Sequence, residues 1–73
     1  MNPEDFKGCR LSLGMSQVDF ALALGYQSQI RENLRQQIED LETGQKPISP
    51  AVGRLAWMFY AYGVPERFGL RWP

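Results

Sequence analysis

Two stretches of the sequence decide the fold: residues 14–26, GMSQVDFALALGY, and residues 38–44, IEDLETG. In the first stretch Ser16 is a favoured N-cap, and the acid Asp19 follows three residues later, as in a capping box. Gly25 can then supply the positive φ that ends a helix. The second stretch predicts the last turns of another helix, which ends at Gly44. Two short helices, one soon after the other, are therefore expected.

Further helix signals flank these stretches. Asn2 followed by Pro3 is a strong helix start, and that first helix should end at Gly14. The same cap-then-proline device at Ser49 predicts a fourth helix over about 50–62. Helix 3 is predicted by an apolar stripe at intervals of four, four and three residues: Ile30, Leu34, Ile38 and Leu41. The sequence thus predicts an all-α fold of four to five short helices in a single domain, residues 1–73.

The composition removes several functional classes. The chain has 73 residues, a net charge of zero, no histidine and one cysteine. Cys9 has no partner for an internal disulfide, and we expect it in the core of helix 1. Without histidine the usual zinc sites and the commonest general base are missing, so we expect no metal, no cofactor, no small-molecule ligand and no enzyme activity. No apolar run reaches about 20 residues and the N-terminus is acidic, which predicts a cytoplasmic protein without membrane contact.

In this order the residues resemble the Cro/repressor-type helix-turn-helix family, the lambda-repressor-like regulators of phages and bacteria. The resemblance covers roughly residues 6–62. It is carried by Arg10, by residues 14–17, 20–21 and 24–25, and by residues 38–44. It implies that helix 2 braces helix 3 against the DNA major groove. It also implies a partly buried ion pair between Arg10 and Glu42 that links helices 1 and 3.

One interval departs from the family pattern. Between Gly25 and Ile38 the chain is about seven residues longer than the family, roughly two helical turns. The preferred interpretation is a recognition helix extended toward its N-terminus and starting near Ser28. The alternative is a long turn within residues 27–35 that carries Arg31 toward the DNA backbone.

The resemblance, counted back from Ile38, implies which residues of helix 3 face the bases. Arginine can read guanine and glutamine can read adenine in the major groove, whereas a carboxylate can accept a hydrogen bond only from cytosine. The alternative interpretation of these side chains is a solvated helix face with internal i,i+4 pairs. The expected base-contacting residues are Arg35, Gln36, Gln37, Glu39 and Asp40.

Phosphate contacts are expected from polar residues at the first turn of helix 2, along helix 3 and in the turn after Gly44. Lys46 is the best candidate among the charged ones, because that turn lies against the backbone in the family. The alternative interpretation of Lys46 is an ordinary exposed lysine. The expected phosphate-contacting residues are Gln17, Arg31, Asn33, Thr43, Gln45 and Lys46.

Helix 4 and the tail carry more aromatic residues than so small a core requires. We therefore expect a homodimer interface formed by Trp57, Tyr60, Phe68 and Trp72. The alternative is a monomer whose tail folds back on helix 4.

The resulting functional expectation is a sequence-specific transcriptional regulator. It would act as a repressor, possibly of its own gene, and bind an inverted repeat of double-stranded DNA as a homodimer. Two rivals keep the same fold with weak or no DNA binding as their limit: an antitoxin-like module that binds both DNA and a partner protein, and a protein-interaction domain that has lost DNA binding. Zero net charge and the acids of helix 3 favour the second.

Overall fold

Four α-helices and one 3₁₀ turn follow one another along residues 1–69, which are the residues that the computed structural model describes. The helices are α1 Pro3–Ser12, α2 Gln17–Ala23, α3 Arg31–Glu42 and α4 Pro50–Tyr62, and the 3₁₀ turn is Glu66–Gly69. No strand occurs in this part of the chain. The all-α expectation is therefore confirmed for the described residues.

Three of the four helices begin at the caps expected from the sequence. The side chains of Asn2, Ser16 and Ser49 each accept a hydrogen bond from a backbone N–H three residues ahead, at 2.7, 3.1 and 3.2 Å. Gly14 and Gly25 have φ values of 68° and 96°, the left-handed conformations that end α1 and α2. Local sequence signals therefore set these boundaries.

The start of α3 differs from the prediction. The helix begins at Arg31, whereas the predicted start was Ser28. The Ser28 hydroxyl accepts a hydrogen bond from the Ile30 N–H at 3.1 Å, a local turn that competes with the helix. Ile30 is extended and the residue is 60% exposed, so it does not belong to the buried stripe. Residues 24–30 form the connection, and Arg31 and Arg35 both lie on the helix.

The core forms where the helices cross. Phe6, Phe20, Leu34 and Ile38 are its largest fully buried side chains. The Phe6 and Phe20 rings pack with centroids 5.2 Å apart. Helix α2 packs on α3, α1 packs on both α3 and α4, and the 3₁₀ turn packs on α2. Ala21 of α2 is fully buried, so α2 contributes a small residue to the core.

Candidate nucleic-acid interface

Helix α3 has one buried face and one polar face. Leu34, Ile38 and Leu41 are its buried residues. The opposite side carries Arg31, Glu32, Arg35, Gln36 and Asp40. A helix with this division presents a continuous polar surface beside an apolar anchor.

The side chains on this polar surface are linked to one another. The Arg35 guanidinium donates to both carboxylate oxygens of Glu32, at 2.6 to 3.0 Å, and to the Gln36 side-chain carbonyl at 3.2 Å. Gln36 in turn donates its amide N–H to Asp40 at 2.8 Å. The Lys46 ammonium lies 3.6 Å from the other Asp40 oxygen. We call these five residues the outer polar chain.

The Glu32–Arg35 pair also shifts the acidity of both groups. Hydrogen bonding to Arg35 is the main cause that lowers the pKa of Glu32, and Coulomb attraction adds to it. Hydrogen bonding to Glu32 likewise raises the pKa of Arg35, with Glu39 and Asp40 contributing charge. Both groups are therefore ionised at neutral pH. The i,i+4 alternative predicts the pairs Glu32 with Gln36 or Arg35 with Glu39. The structure instead pairs Glu32 with Arg35 at i,i+3 and Gln36 with Asp40 at i,i+4.

A second polar cluster lies between α1, α2 and α3, and we call it the inner junction. Arg10 donates from Nε to Glu42 Oε2 at 2.6 Å and from its second terminal nitrogen to Oε1 at 3.1 Å. Its third donor group reaches the Met15 carbonyl oxygen at 3.1 Å. The Arg10 and Glu42 side chains are only 11% and 3% exposed. The ion pair that the resemblance implied is therefore present, as a bidentate contact closed by a backbone oxygen.

Gln17 and Glu39 belong to the inner junction as well. The Gln17 amide donates to Glu39 at 2.7 Å and to Glu42 at 3.3 Å. Gln17 was expected at a phosphate and Glu39 at a base, but here each is the other's partner. The two residues lie 22 positions apart, so no local spacing in the sequence could have predicted this contact.

The remaining predicted phosphate-contacting residues lie at the two ends of α3. Arg31 is exposed and makes no hydrogen bond or ion pair with any residue in 1–69. Asn33 donates weakly to Ser28 at 3.5 Å. The Thr43 hydroxyl donates to the Glu39 carbonyl at 2.8 Å, while Gln45 and Lys46 are exposed in the turn that follows. Two cations, Arg31 and Lys46, thus flank the polar face of α3.

Beside this face lies a polar groove of about 260 Å³ between α3 and its two neighbouring connections. Gln37, predicted as a base contact, lines it together with Asn33, Asp40 and Lys46. Gln27 and Ser28 also line it, although the sequence had assigned them no role. Their position depends on the turn before α3, which the stripe-based prediction had placed inside the helix.

The predicted dimer residues are divided between two environments. Trp57 and Tyr60 are 52% and 56% exposed on α4. The Phe68 ring packs edge-on against Phe59 of the same chain, with centroids 5.6 Å apart. Trp72 lies outside the described residues. As far as Gly69, the tail therefore folds back, and the exposed aromatic surface belongs to α4.

Within residues 1–69 no group of three or more histidine, cysteine, aspartate or glutamate residues is arranged to hold a metal ion. No helix in that range is long and apolar enough to cross a membrane. No protein-family model, curated protein or solved structure matches the chain. The chemistry of its own residues is therefore what indicates a function.

Proposed function

We propose that this protein is a sequence-specific DNA-binding regulator that places the polar face of α3 in the major groove. The observation that carries the proposal is the position of α3. It buries a single stripe, rests on α2 and α1, and turns a row of hydrogen-bonding side chains outward. A helix of 12 residues is about 18 Å long, and the major groove is wide enough to admit it.

We assign recognition of the DNA bases to Arg35 and Gln36, with Asp40 and Gln37 beside them. An arginine presents a bidentate fork to guanine, and a glutamine presents a donor and an acceptor to adenine. In the free protein these groups are satisfied by the outer polar chain. Binding would exchange Glu32 for a base edge at Arg35, so affinity is low unless the base matches Arg35 well. The acid neighbours thus add selectivity at the expense of affinity.

Backbone contacts are assigned to Arg31 and Lys46 at opposite ends of α3. Each is exposed, and neither is needed to hold the inner junction. Cations placed on both sides of a groove-bound helix meet the two phosphate strands and fix its register. As a hypothesis, two copies bind an inverted repeat with half-sites about 34 Å apart. The protein would then be a phage or bacterial repressor that covers a promoter in the bacterial cytoplasm.

A second candidate is favoured by one observation. The Arg35 charge is balanced by Glu32 and the Lys46 charge by Asp40, which leaves Arg31 as the unpaired cation of this face. A surface so neutralised suits a protein partner better than a polyanion. In this reading the chain is an antitoxin-like or protein-interaction domain that keeps the fold with weak or no DNA binding.

Duplex binding at two salt concentrations separates the two candidates. For the regulator we expect affinity for the DNA upstream of its own gene to fall steeply with salt. Arg35→Ala should reduce the preference for that site over a scrambled duplex, while Arg31→Ala should weaken both duplexes alike. Lys7→Ala, on α1, removes one positive charge from an exposed side chain and is the matched control. Absence of binding to any duplex at low salt would reject the regulator and leave the protein-interaction domain.

A further inference from the structure

We infer that the exposed face of α4, together with the first turn of α1, is a self-complementary surface that docks a second copy of this chain about a twofold axis. The inference deepens the proposed function by naming its dimer contact. It rests on that function only for the inverted-repeat site, because the surface itself includes no residue of α3.

The centre of this surface is apolar and large. Trp57 and Tyr60 are each more than half exposed, and both lie on α4. The Trp57 ring makes a T-shaped contact with the Tyr62 ring, with centroids 6.2 Å apart. Aromatic residues are enriched at protein interfaces.

Charged residues border the aromatic centre in a definite order. At about 100° per residue, Tyr60 lies about 60° to one side of Trp57 on α4, and Arg54 lies about 60° to the other. The α1 helix is on the Tyr60 side, where Glu4 and Asp5 line a groove together with Trp57 and Tyr60. Across the helix axis the surface therefore runs from acidic through aromatic to basic.

These border charges are available to a partner. The side chains of Glu4, Asp5 and Arg54 are exposed, and none makes a hydrogen bond or ion pair with a residue in 1–69. In a twofold interface residue i of one copy meets residue j of the other, and j meets i. Rotation about an axis near Trp57 therefore brings the basic edge of each copy to the acidic edge of the other, and the pairing occurs twice.

The groove between α1 and α4 gives the second copy space to enter. Its volume is about 360 Å³, enough for an aromatic ring or the stem of an arginine. Gly8 forms part of its lining, and a Cβ added there would meet nothing within 4 Å. Exposed aromatics, an open groove and an ordered charge pattern together select a copy of this chain as the occupant.

Sedimentation equilibrium of the full chain without DNA tests the inference. We expect the wild type to dimerise, and Arg54→Glu and Glu4→Arg each to weaken the dimer at least about tenfold by opposing like charges twice. An equimolar mixture of the two variants should regain wild-type affinity, since both charge pairs are restored in the heterodimer. A wild type that stays monomeric at millimolar concentration, a variant as tight as wild type, or a mixture that does not recover would overturn the inference.

Controls separate folding from docking. Lys7→Glu reverses a charge on the side of α1 that faces away from the groove, and it should leave the dimer unchanged. Melting by circular dichroism verifies each fold, and Asp5→Arg replaces Glu4→Arg if the latter unfolds. Duplex binding is measured separately. Loss of DNA binding with an intact dimer would reject only the proposed function, and a monomer that still binds half-sites would reject only the docking surface.

Discussion

Two arginine–glutamate pairs that involve α3 have nearly the same shortest distance and opposite surroundings. In both, the shortest nitrogen–oxygen distance is 2.6 Å. The inner pair, Arg10 with Glu42, is 11% and 3% exposed, whereas the outer pair, Arg35 with Glu32, is 38% and 66% exposed. Identical chemistry therefore serves two purposes: the inner pair fixes α3 to α1, and the outer pair can be exchanged.

The reason lies in solvation. A charge taken out of water depends on its partner, and removal of one member leaves the other without compensation. A charge at the surface is hydrated whether or not its partner is present, so its ion pair contributes little to folding. What differs is how strongly each pair resists replacement by another ligand.

The largest effect is expected for Arg10→Ala. It would leave Glu42 buried without its cation and free the Met15 carbonyl, which should reduce the free energy of unfolding by about 3 kcal/mol. Urea denaturation followed by circular dichroism measures this change. Arg35→Ala is the matched control and should leave the urea midpoint almost unchanged. Equal loss in both variants would contradict the contrast between the two pairs.

A smaller loss is expected for Gln17→Ala. The amide of Gln17 donates to two carboxylates of the inner junction, so its removal should reduce the free energy of unfolding by about 1 kcal/mol. Gln45→Ala, which removes an exposed amide, is the control and should have no effect. A stable Gln17→Ala protein with weakened duplex binding would instead assign Gln17 to phosphate recognition.

Removal of the outer acid should strengthen duplex binding. In Glu32→Ala the Arg35 guanidinium is no longer held, and repulsion between a carboxylate and phosphate disappears, so we expect several-fold tighter binding. Titration of a labelled duplex measures this effect. Glu66→Ala, on the 3₁₀ turn rather than on α3, changes the net charge by the same amount and should have a smaller effect. If the two variants bind alike, Glu32 does not restrain Arg35.

The salt dependence of binding should report Lys46. Because a lysine at a phosphate releases counterions, Lys46→Ala should reduce the slope of log affinity against log salt by about 1, with the same loss on every sequence. Lys7→Ala is the matched control, since Lys7 lies on α1. An unchanged slope for Lys46→Ala would place Lys46 away from the DNA backbone.

The smallest effect concerns pH. The folded state lowers the pKa of Glu32 through Arg35, so the resulting stability is present above the ordinary carboxyl pKa and lost as pH falls through the lowered value. Thermal melts between about pH 5 and pH 3 should therefore show a slightly larger decline for wild type than for Glu32→Gln. The difference is small because the pair is exposed, and a large one would mean that the outer pair supports the fold.

Much of the fold followed from local signals. The caps at Asn2, Ser16 and Ser49 and the turns at Gly14 and Gly25 depend on residues within one helical turn, so the sequence predicted them. The predicted start of α3 was wrong because periodicity extended the stripe to Ile30, whereas a hydrogen bond from the Ile30 N–H to the Ser28 side chain holds a turn there, and the helix begins only at Arg31.

The candidate site depended more on tertiary contacts. The Arg10–Glu42 pair could be named from a resemblance, but its bidentate geometry and the backbone oxygen that completes it could not. The Gln17–Glu39 contact joins residues 22 positions apart, and the fold-back of Phe68 onto Phe59 is one of two arrangements that the sequence left open. No spacing rule reaches across such intervals, because only helix packing brings these groups together.

By itself the sequence determined which segments form helices and where most of them begin and end, since caps, glycines and periodicity act over three or four residues. Only the tertiary structure decided which polar side chains of α3 are bound to the protein and which are exchangeable. That division is set by burial, which belongs to the packed molecule. Glu32, Glu39 and Glu42 have the same side chain on the same helix, and only the packing of α1 and α2 distinguishes them.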